Sequence, residues 1–158
     1  MHRIHINIGS NQGDRLTLIE SAVALISCRW PDACLRRSDF FDSEPWGFES
    51  ANRFLNLGLL LETDGDVAPL DILHGLQEIE RAIAPEPHRD NLGNYIDRRI
   101  DIDLIAVDSL VVDTPELTLP HPRMRSRDFV MKPLCSLDPA WVDPITGLTA
   151  RDIVRNEF

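Results

Sequence analysis

The stretch RRIDIDLIAVD, residues 98–108, alternates charged and apolar side chains with the two-residue period of a β-strand. Asp101 and Asp103 therefore point to one side of that strand, while the isoleucines and the leucine around them point to the other. Carboxylates two residues apart on a strand lie about 6–7 Å from each other and repel. The pattern predicts a strand with one face in the core and a second face that requires compensating positive charge.

Two kinds of positive charge can compensate these aspartates. Mg²⁺ prefers carboxylate oxygens and usually takes only one or two from the protein, and two ions about 3.5–4 Å apart can share such a pair. Alternatively, each aspartate pairs with an arginine on a solvated strand face, which is the commoner situation for an isolated Asp-x-Asp pair. Arg98 lies beside the strand, and acids for a metal next to bases for a phosphate suit a metal–nucleotide complex.

A second cluster, LPHPRMRSRDF at residues 119–129, is rich in basic side chains. His121 stands between two prolines, which restrict the backbone on either side of it. Arg123, Arg125 and Arg127 alternate, so they can line one side of a phosphate path, and a guanidinium binds phosphate in a bidentate manner. A solvated basic loop explains the same residues equally well. The chain has neither a GxxxxGK[ST] nor a GxGxxG motif, so any phosphate site must be built in another way.

A third cluster combines SEPWGF, residues 43–48, with RFLN, residues 53–56. Its proline and aromatic side chains can form a flat slot, and Asn56 can donate and accept hydrogen bonds at once. This is the chemistry that a planar heterocycle requires. The competing interpretation is that aromatic residues near the start of a strand belong to the core.

Hydrophobic periodicity predicts the remaining elements. Strands are expected over residues 2–8, 35–43, 54–62 and 99–107, with 109–113 as a hairpin partner of the last; helices are expected over 15–27, 69–84 and, capped by Thr149, 150–156, with short helical turns over 126–137. The order of these elements predicts an α+β, ferredoxin-like fold, in which two helices pack on one face of a mostly antiparallel sheet. Because no repeat or domain boundary interrupts the chain, we expect a single domain over residues 1–158.

The composition narrows the class of protein. A formal net charge of −10 argues against general binding of nucleic acid or acidic membranes, since both require a basic face. The longest apolar run is too short to cross a bilayer and residues 1–8 lack the features of a secretory signal, so we expect a cytoplasmic protein. The three cysteines have no metal-type spacing and are expected to be inert thiols. We expect a monomer or a weak dimer.

Taken together, these segments resemble the 6-hydroxymethyl-7,8-dihydropterin pyrophosphokinases, a family of folate-pathway enzymes. The matching pieces occur in the family's order between about residues 4 and 138: IGSNQGDR, SEPWG, FLN, LQEIERAI, RxxDxDLI and LTLPHPRMRSRDFVMKPL. The resemblance implies the ferredoxin-like fold and a Mg²⁺-dependent transfer of the β,γ-pyrophosphoryl group of ATP to the hydroxymethyl oxygen of the pterin, which leaves AMP. The ligands that it implies are ATP, the pterin and two Mg²⁺ ions.

The resemblance also implies a role for individual residues. Those expected to take part in catalysis are Arg98, Asp101, Asp103, His121 and Arg127, and the two aspartates are the expected metal ligands. Those expected at ATP are Gln77, Glu80, Arg89, Arg98, His121 and Arg127. Those expected at the pterin are Ser43, Pro45, Trp46, Phe54, Asn56 and Phe129, with Phe54 and Phe129 as the rings that sandwich it.

The chain departs from the family pattern just before the Asp-x-Asp strand. Residues 95–97 read YID where the family usually has Trp-Gly-Pro, and Arg99 stands where threonine is frequent. The polar loop over residues 84–95 offers only His88 and Arg89, where several arginines are usual. The alternative function is therefore a pterin- or nucleotide-binding homologue whose altered loop no longer supports catalysis. Retention of both aspartates and of the histidine and arginine of the second cluster favours the enzyme.

Overall fold

Five antiparallel strands form the central sheet in the computed structural model, which describes residues 1–44, 52–85, 91–92 and 99–158. The strands are β1 (His2–Ser10), β2 (Cys34–Arg37), β3 (Phe41–Ser43), β4 (Phe54–Thr63) and β5 (Asp101–Val107), followed by the short β6 (Val112–Asp113) and β7 (Thr118–Leu119). The helices are α1 (Arg15–Arg29), α2 (Pro69–Ile83), α3 (Asp128–Leu137) and α4 (Ala150–Glu157). The sheet order is β2-β4-β1-β5, with β3 also paired to β4.

This arrangement confirms the predicted ferredoxin-like α+β fold. The two central strands, β1 and β4, are far apart in sequence, and all of β1 pairs with residues 55–63 of β4. The helices begin where side chains or geometry favour them: Asp14 accepts a hydrogen bond from the Thr17 amide at 3.2 Å, and Pro69 occupies the first turn of α2. In the described part of the chain, none of the helices combines the length and the apolar character that crossing a membrane requires.

One side of the sheet, called the apolar face here, holds the main core. Ile4, Ile6 and Ile8 of β1 lie opposite leucines of β4 in register, and all of these side chains are buried. Helices α1 and α2 cover them with the buried residues Ile19, Ala22, Ile26, Ile72, Leu76 and Ile79. This side contains the two helices that the periodicity predicts.

The opposite side, called the polar face here, is formed by the alternate residues of the same strands, including Asn7 of β1, Asn56 of β4, and Asp101 and Asp103 of β5. Ile105 lies on this side by alternation, and a bulge in the β1–β5 pairing brings Ala106 to the same side, so both belong to a second apolar cluster. Helices α3 and α4 complete that cluster with Val130, Met131, Leu134, Ala150 and Ile153. The second cluster leaves the two aspartates outside the core.

The structure corrects three predicted elements. Residues 35–43 form two short strands rather than one, and residues 128–137 form one helix rather than separate turns. Residues 109–113 do not pair with the preceding strand, because β6 pairs with β7. The turn between β6 and β7 is closed by Thr114, whose amide donates to the Leu117 carbonyl and whose hydroxyl accepts from the Leu117 amide. This local hydrogen bonding favours the pairing of β6 with β7.

Candidate active site

Two rows of residues cross the polar face from β4 through β1 to β5. The first row is Asn56, Gly9 and Asp101, and the second row is Gly58, Asn7 and Asp103. Neighbouring strands lie about 4.8 Å apart, so the outer members of one row are about 10 Å apart. The rows therefore place a predicted pterin residue on one side of β1 and the predicted metal ligands on the other side.

The side chain of Asn56 is held in one orientation. Its Nδ2 donates to Ser43 Oγ at 2.8 Å and to the Phe41 carbonyl at 3.2 Å, which uses both amide hydrogens. Oδ1 then faces β1, where a Cβ on Gly9 would lie only 3.0 Å from Oδ1 and 3.5 Å from the ring of Phe54. Only glycine gives these two predicted pterin residues room to approach β1 so closely.

The two aspartates of β5 are half-buried and face an open groove with a volume of about 350 Å³. Predicted ATP residues from two other parts of the chain line the same groove, namely Gln77, Glu80 and His121. Glu80 also has a structural contact that the sequence did not indicate: its Oε2 accepts a hydrogen bond from the Ile102 amide at 2.9 Å. This bond fastens α2 to the edge of β5 and fixes one wall of the groove.

His121 is placed beside β5 by its own backbone, because its amide donates to the Ile105 carbonyl at 2.8 Å. Its ring Nδ1 accepts from the Arg123 amide at 3.2 Å, so the proton of the neutral ring is on Nε2. Burial and the positive charge of Arg127 lower the pKa of His121 to about 4, although the charge of Asp101 acts in the opposite direction. The ring is therefore neutral near pH 7 and presents an N–H donor.

Arg127 and Phe129 bring a predicted phosphate residue and a predicted pterin residue together. Arg127 is the N-cap residue of α3 and is only 9% exposed. The central carbon of its guanidinium lies 5.6 Å from the centroid of the half-buried Phe129 ring, a distance suited to a cation–π contact. The start of α3 thus connects the two predicted binding regions.

The donor set on β5 fits Mg²⁺. The aspartates supply two carboxylates from one strand, and Mg²⁺ commonly binds one or two carboxylates with phosphate oxygens and water as its other ligands. Among the residues described, no group of three or more His, Cys, Asp or Glu side chains could hold a metal ion by itself. Water and the phosphate oxygens of a substrate would complete the coordination at such a site.

Four predicted site residues lie outside the described residues, namely Pro45, Trp46, Arg89 and Arg98. Their roles stay predictions, and so does the effect of the unusual loop over residues 84–95. The sequence patterns did not identify Asn7, although HRIHINI at residues 2–8 places a histidine and an asparagine on one side of a strand. Buried polar residues in a central strand are a signal of a specific hydrogen-bond partner.

Comparisons with known proteins agree with the geometry. Residues 5–139 match the family described as 7,8-dihydro-6-hydroxymethylpterin-pyrophosphokinase (HPPK). A Porphyromonas gingivalis protein named 2-amino-4-hydroxy-6-hydroxymethyldihydropteridine pyrophosphokinase is 42% identical over 142 residues, which cover 89% of this chain and 93% of that protein. An Aquifex aeolicus protein of the same name is 30% identical over 145 residues, which cover 92% of this chain and 86% of the relative.

A solved structure has a similar fold. The crystal structure of Plasmodium falciparum HPPK-DHPS wild type with SDX-DHP matches with a TM-score of 0.68 and 13% sequence identity. The match covers 99% of this chain and 43% of that longer chain. At this identity the likeness concerns the fold alone.

Proposed function

The chain belongs to the 7,8-dihydro-6-hydroxymethylpterin-pyrophosphokinase family, and on that premise we propose that it transfers pyrophosphate from ATP to 6-hydroxymethyl-7,8-dihydropterin. The hydroxymethyl oxygen forms a bond to the β-phosphorus, and the bond from the β-phosphorus to the oxygen shared with the α-phosphorus breaks. AMP leaves with that electron pair, and the hydroxyl proton passes to solvent. The observation that supports the proposal is the first row of the polar face. In this row, Asn56 of β4 and Asp101 of β5 lie on either side of Gly9 of β1.

The β4 side of the row is suited to the pterin. Both amide hydrogens of Asn56 are engaged by Ser43 and the Phe41 carbonyl, so its Oδ1 is the group that accepts a ring N–H of the pterin. The missing Cβ of Gly9 lets Asn56 Oδ1 and the Phe54 ring approach β1 closely, next to the aspartates of β5. Phe54 and Phe129 supply the aromatic surfaces, and Pro45 and Trp46 are proposed to complete the pocket.

The β5 side of the row is suited to the triphosphate. His121 offers Nε2–H and Arg127 offers a guanidinium, while Gln77 and Glu80 border the nucleotide. Asp101 and Asp103 would hold Mg²⁺, which would neutralise phosphate charge there. Arg89 and Arg98 are proposed to bind the same phosphates. We assign no general base, because phosphoryl transfer depends mainly on alignment and charge neutralisation.

We further propose that residues 1–158 act as a single domain, as a monomer or weak dimer in the cytoplasm. The single domain is supported by β5, because Ile102 and Leu104 belong to the main core while Ile105 and Ala106 belong to the second cluster. This strand thus contributes buried residues to both the main core and the second cluster. The acidic net charge of −10 agrees with a partner set of small molecules and no nucleic acid or membrane.

The decisive experiment mixes the protein with ATP, Mg²⁺ and 6-hydroxymethyl-7,8-dihydropterin and separates the nucleotides formed. AMP that appears only when the pterin is present is the expected result. ADP as the product would mean transfer of a single phosphoryl group and would contradict the proposal. Pterin binding without any turnover would favour the non-catalytic homologue and would point to residues 84–97 as the part of the chain that lost catalysis.

A further inference from the structure

Asn7 lies at the centre of the polar face and belongs to neither the metal nor the pterin residues described above. Its neighbours in register are Gly58 on β4 and Asp103 on β5. The residue is only 5% exposed, and its side-chain Nδ2 donates a hydrogen bond to the main-chain carbonyl of Phe129 at 2.9 Å. A single amide thus connects the strand between the two binding regions with the first turn of α3.

The Phe129 carbonyl needs this donor because of a proline one turn later in the helix. In an α-helix, the carbonyl of residue i accepts from the amide of residue i+4. For Phe129 that residue is Pro133, which lies inside α3 and has no amide hydrogen. A buried carbonyl without a hydrogen bond is unfavourable. Asn7 therefore supplies from the sheet the donor that the sequence of the helix removes.

Pro133 also fixes how closely α3 approaches the sheet. A Cβ added to Gly58 would lie only 2.8 Å from the Cβ of Pro133, so the helix rests directly on the backbone of β4 at this point. Gly58 and Asn7 face each other across β4 and β1. The contact of Pro133 with Gly58 and the hydrogen bond from Asn7 to Phe129 therefore start from neighbouring positions of the sheet. Together they fix the distance of the start of α3 from the sheet and its rotation about the helix axis.

We propose that Asn7 is a positioning residue that holds Phe129 in the orientation needed to bind the pterin ring. This inference rests on the proposed function, since it takes Phe129 as one of the two rings at the pterin. The Phe129 side chain is half-buried and is in contact with Arg127, so its own packing does not fix it completely. Loss of the Asn7 amide would loosen the first helical turn and would weaken pterin binding more than nucleotide binding.

The test measures binding of 6-hydroxymethylpterin by its fluorescence, with Mg²⁺ and α,β-methylene-ATP present so that no transfer occurs. Asn7→Ala is expected to raise the dissociation constant for the pterin about tenfold, the effect of one lost hydrogen bond to a partly buried carbonyl. The dissociation constant for the nucleotide analogue is expected to rise less than that for the pterin. Asn156→Ala makes the same chemical change on the exposed end of α4 and is the matched control.

The double variant Asn7→Ala/Pro133→Ala shows whether Asn7 acts through the Phe129 carbonyl. Alanine at position 133 supplies the missing amide hydrogen and keeps the Cβ that rests on Gly58, so pterin affinity is expected to return toward that of the original chain. Such a rescue would show that Asn7 acts through the Phe129 carbonyl, while the difference between pterin and nucleotide affinity in Asn7→Ala separates positioning of Phe129 from a general loss of structure.

Three outcomes would overturn the inference. Unchanged pterin affinity in Asn7→Ala, in a chain that forms AMP, would remove the positioning role and leave the proposed function intact. Equal weakening in the single and double variants would mean that Asn7 does not act through the Phe129 carbonyl. Absence of pterin binding by the original chain would refute the proposed function and, with it, the role of Asn7.

Discussion

The two faces of the sheet are formed by the same strands, but they have opposite characters. On the apolar face, Ile4, Ile6 and Ile8 of β1 are buried under α1 and α2, and packing holds them. On the polar face, His5 and Asn7 of the same strand are equally buried, but each has a specific hydrogen-bond partner. A position on the apolar face depends on volume, whereas a position on the polar face depends on individual atoms.

The largest expected effect is on the polar face, at the carboxylates of β5. Asp103→Asn keeps the shape of the side chain and removes its charge. We expect pyrophosphoryl transfer to fall by at least about 1000-fold, or roughly 4 kcal/mol of transition-state stabilisation, because charge neutralisation at the triphosphate is the main catalytic contribution. The measurement is the rate of AMP formation, with urea unfolding to show that the variant folds.

Asp32→Asn is the matched control, since Asp32 is exposed after α1 and lines the same cavity as Ile4, which lies toward the opposite end of β1 from Gly9. Its rate of AMP formation should equal that of the original chain. A normal rate in Asp103→Asn would show that the carboxylate is not a metal ligand and that the two faces differ less than proposed.

The next effect is on the apolar face and concerns stability. Ile6 is 2% exposed and lies opposite Leu59, so Ile6→Ala leaves a cavity in the main core. We expect the free energy of unfolding to fall by about 2–5 kcal/mol, while the folded fraction keeps its pterin affinity. Ile145→Ala, at a site that is 60% exposed, should change stability by less than about 0.5 kcal/mol. Loss of pterin affinity in folded Ile6→Ala would contradict the claim that residues of the apolar face affect stability alone.

The third effect concerns a charged residue on the polar face that is expected to contribute to stability and not to catalysis. Asp138 follows α3, and its Oδ2 lies 3.0 Å from Nε2 of the buried His5. The hydrogen bond from His5 lowers the pKa of Asp138 despite the opposing effect of burial, and the charges of His5 and Arg3 lower it further. The folded chain therefore binds a proton at this carboxyl less readily than the unfolded chain does.

Asp138→Asn should thus destabilise the fold by about 1–3 kcal/mol at neutral pH, since it disturbs a buried hydrogen-bonded pair. The stability from the ionised carboxylate is fully present above the ordinary pKa of 3.8 and is lost as the pH falls through the lowered pKa. The difference between variant and original chain in urea unfolding should therefore shrink below that pH. A difference that stays constant down to the acid transition would exclude the charge as its cause. Asp66→Asn, at an exposed position, is the control.

The fold could be predicted largely because local patterns agree with it. Alternation in β1 and β5 and the apolar stripe of α2 each indicate one element and its buried side. The sequence predicts only short turns where α3 forms; Pro133 lies inside that helix, at a position where proline is unfavourable. The donor that satisfies the Phe129 carbonyl comes from Asn7, which is 122 residues away in sequence. No local pattern contains that contact.

The candidate site could be predicted in its chemistry but not in its assembly. The spacing of Asp101 and Asp103 predicts that they share one side of a strand, and the pairing bears this out. Which strand lies beside them depends on long-range pairing, and so does the place of Gly9 between the two binding regions. The pKa of His121 likewise follows from burial and from Arg127, which only the folded chain brings to it.

The smallest expected effect is at the cap of α4, which covers the second cluster on the polar face without contributing a predicted site residue. Thr149 Oγ1 accepts a hydrogen bond from the Asp152 amide at 3.1 Å, and Ala150 and Ile153 of this helix are buried. Thr149→Ala should lower the free energy of unfolding by about 1 kcal/mol, because it removes the acceptor for that amide. Thr149→Ser keeps the hydroxyl and should retain most of the stability. The rate of AMP formation by folded protein should be the same in both variants; a lower rate in Thr149→Ala alone would mean that α4 reaches the site through the second cluster.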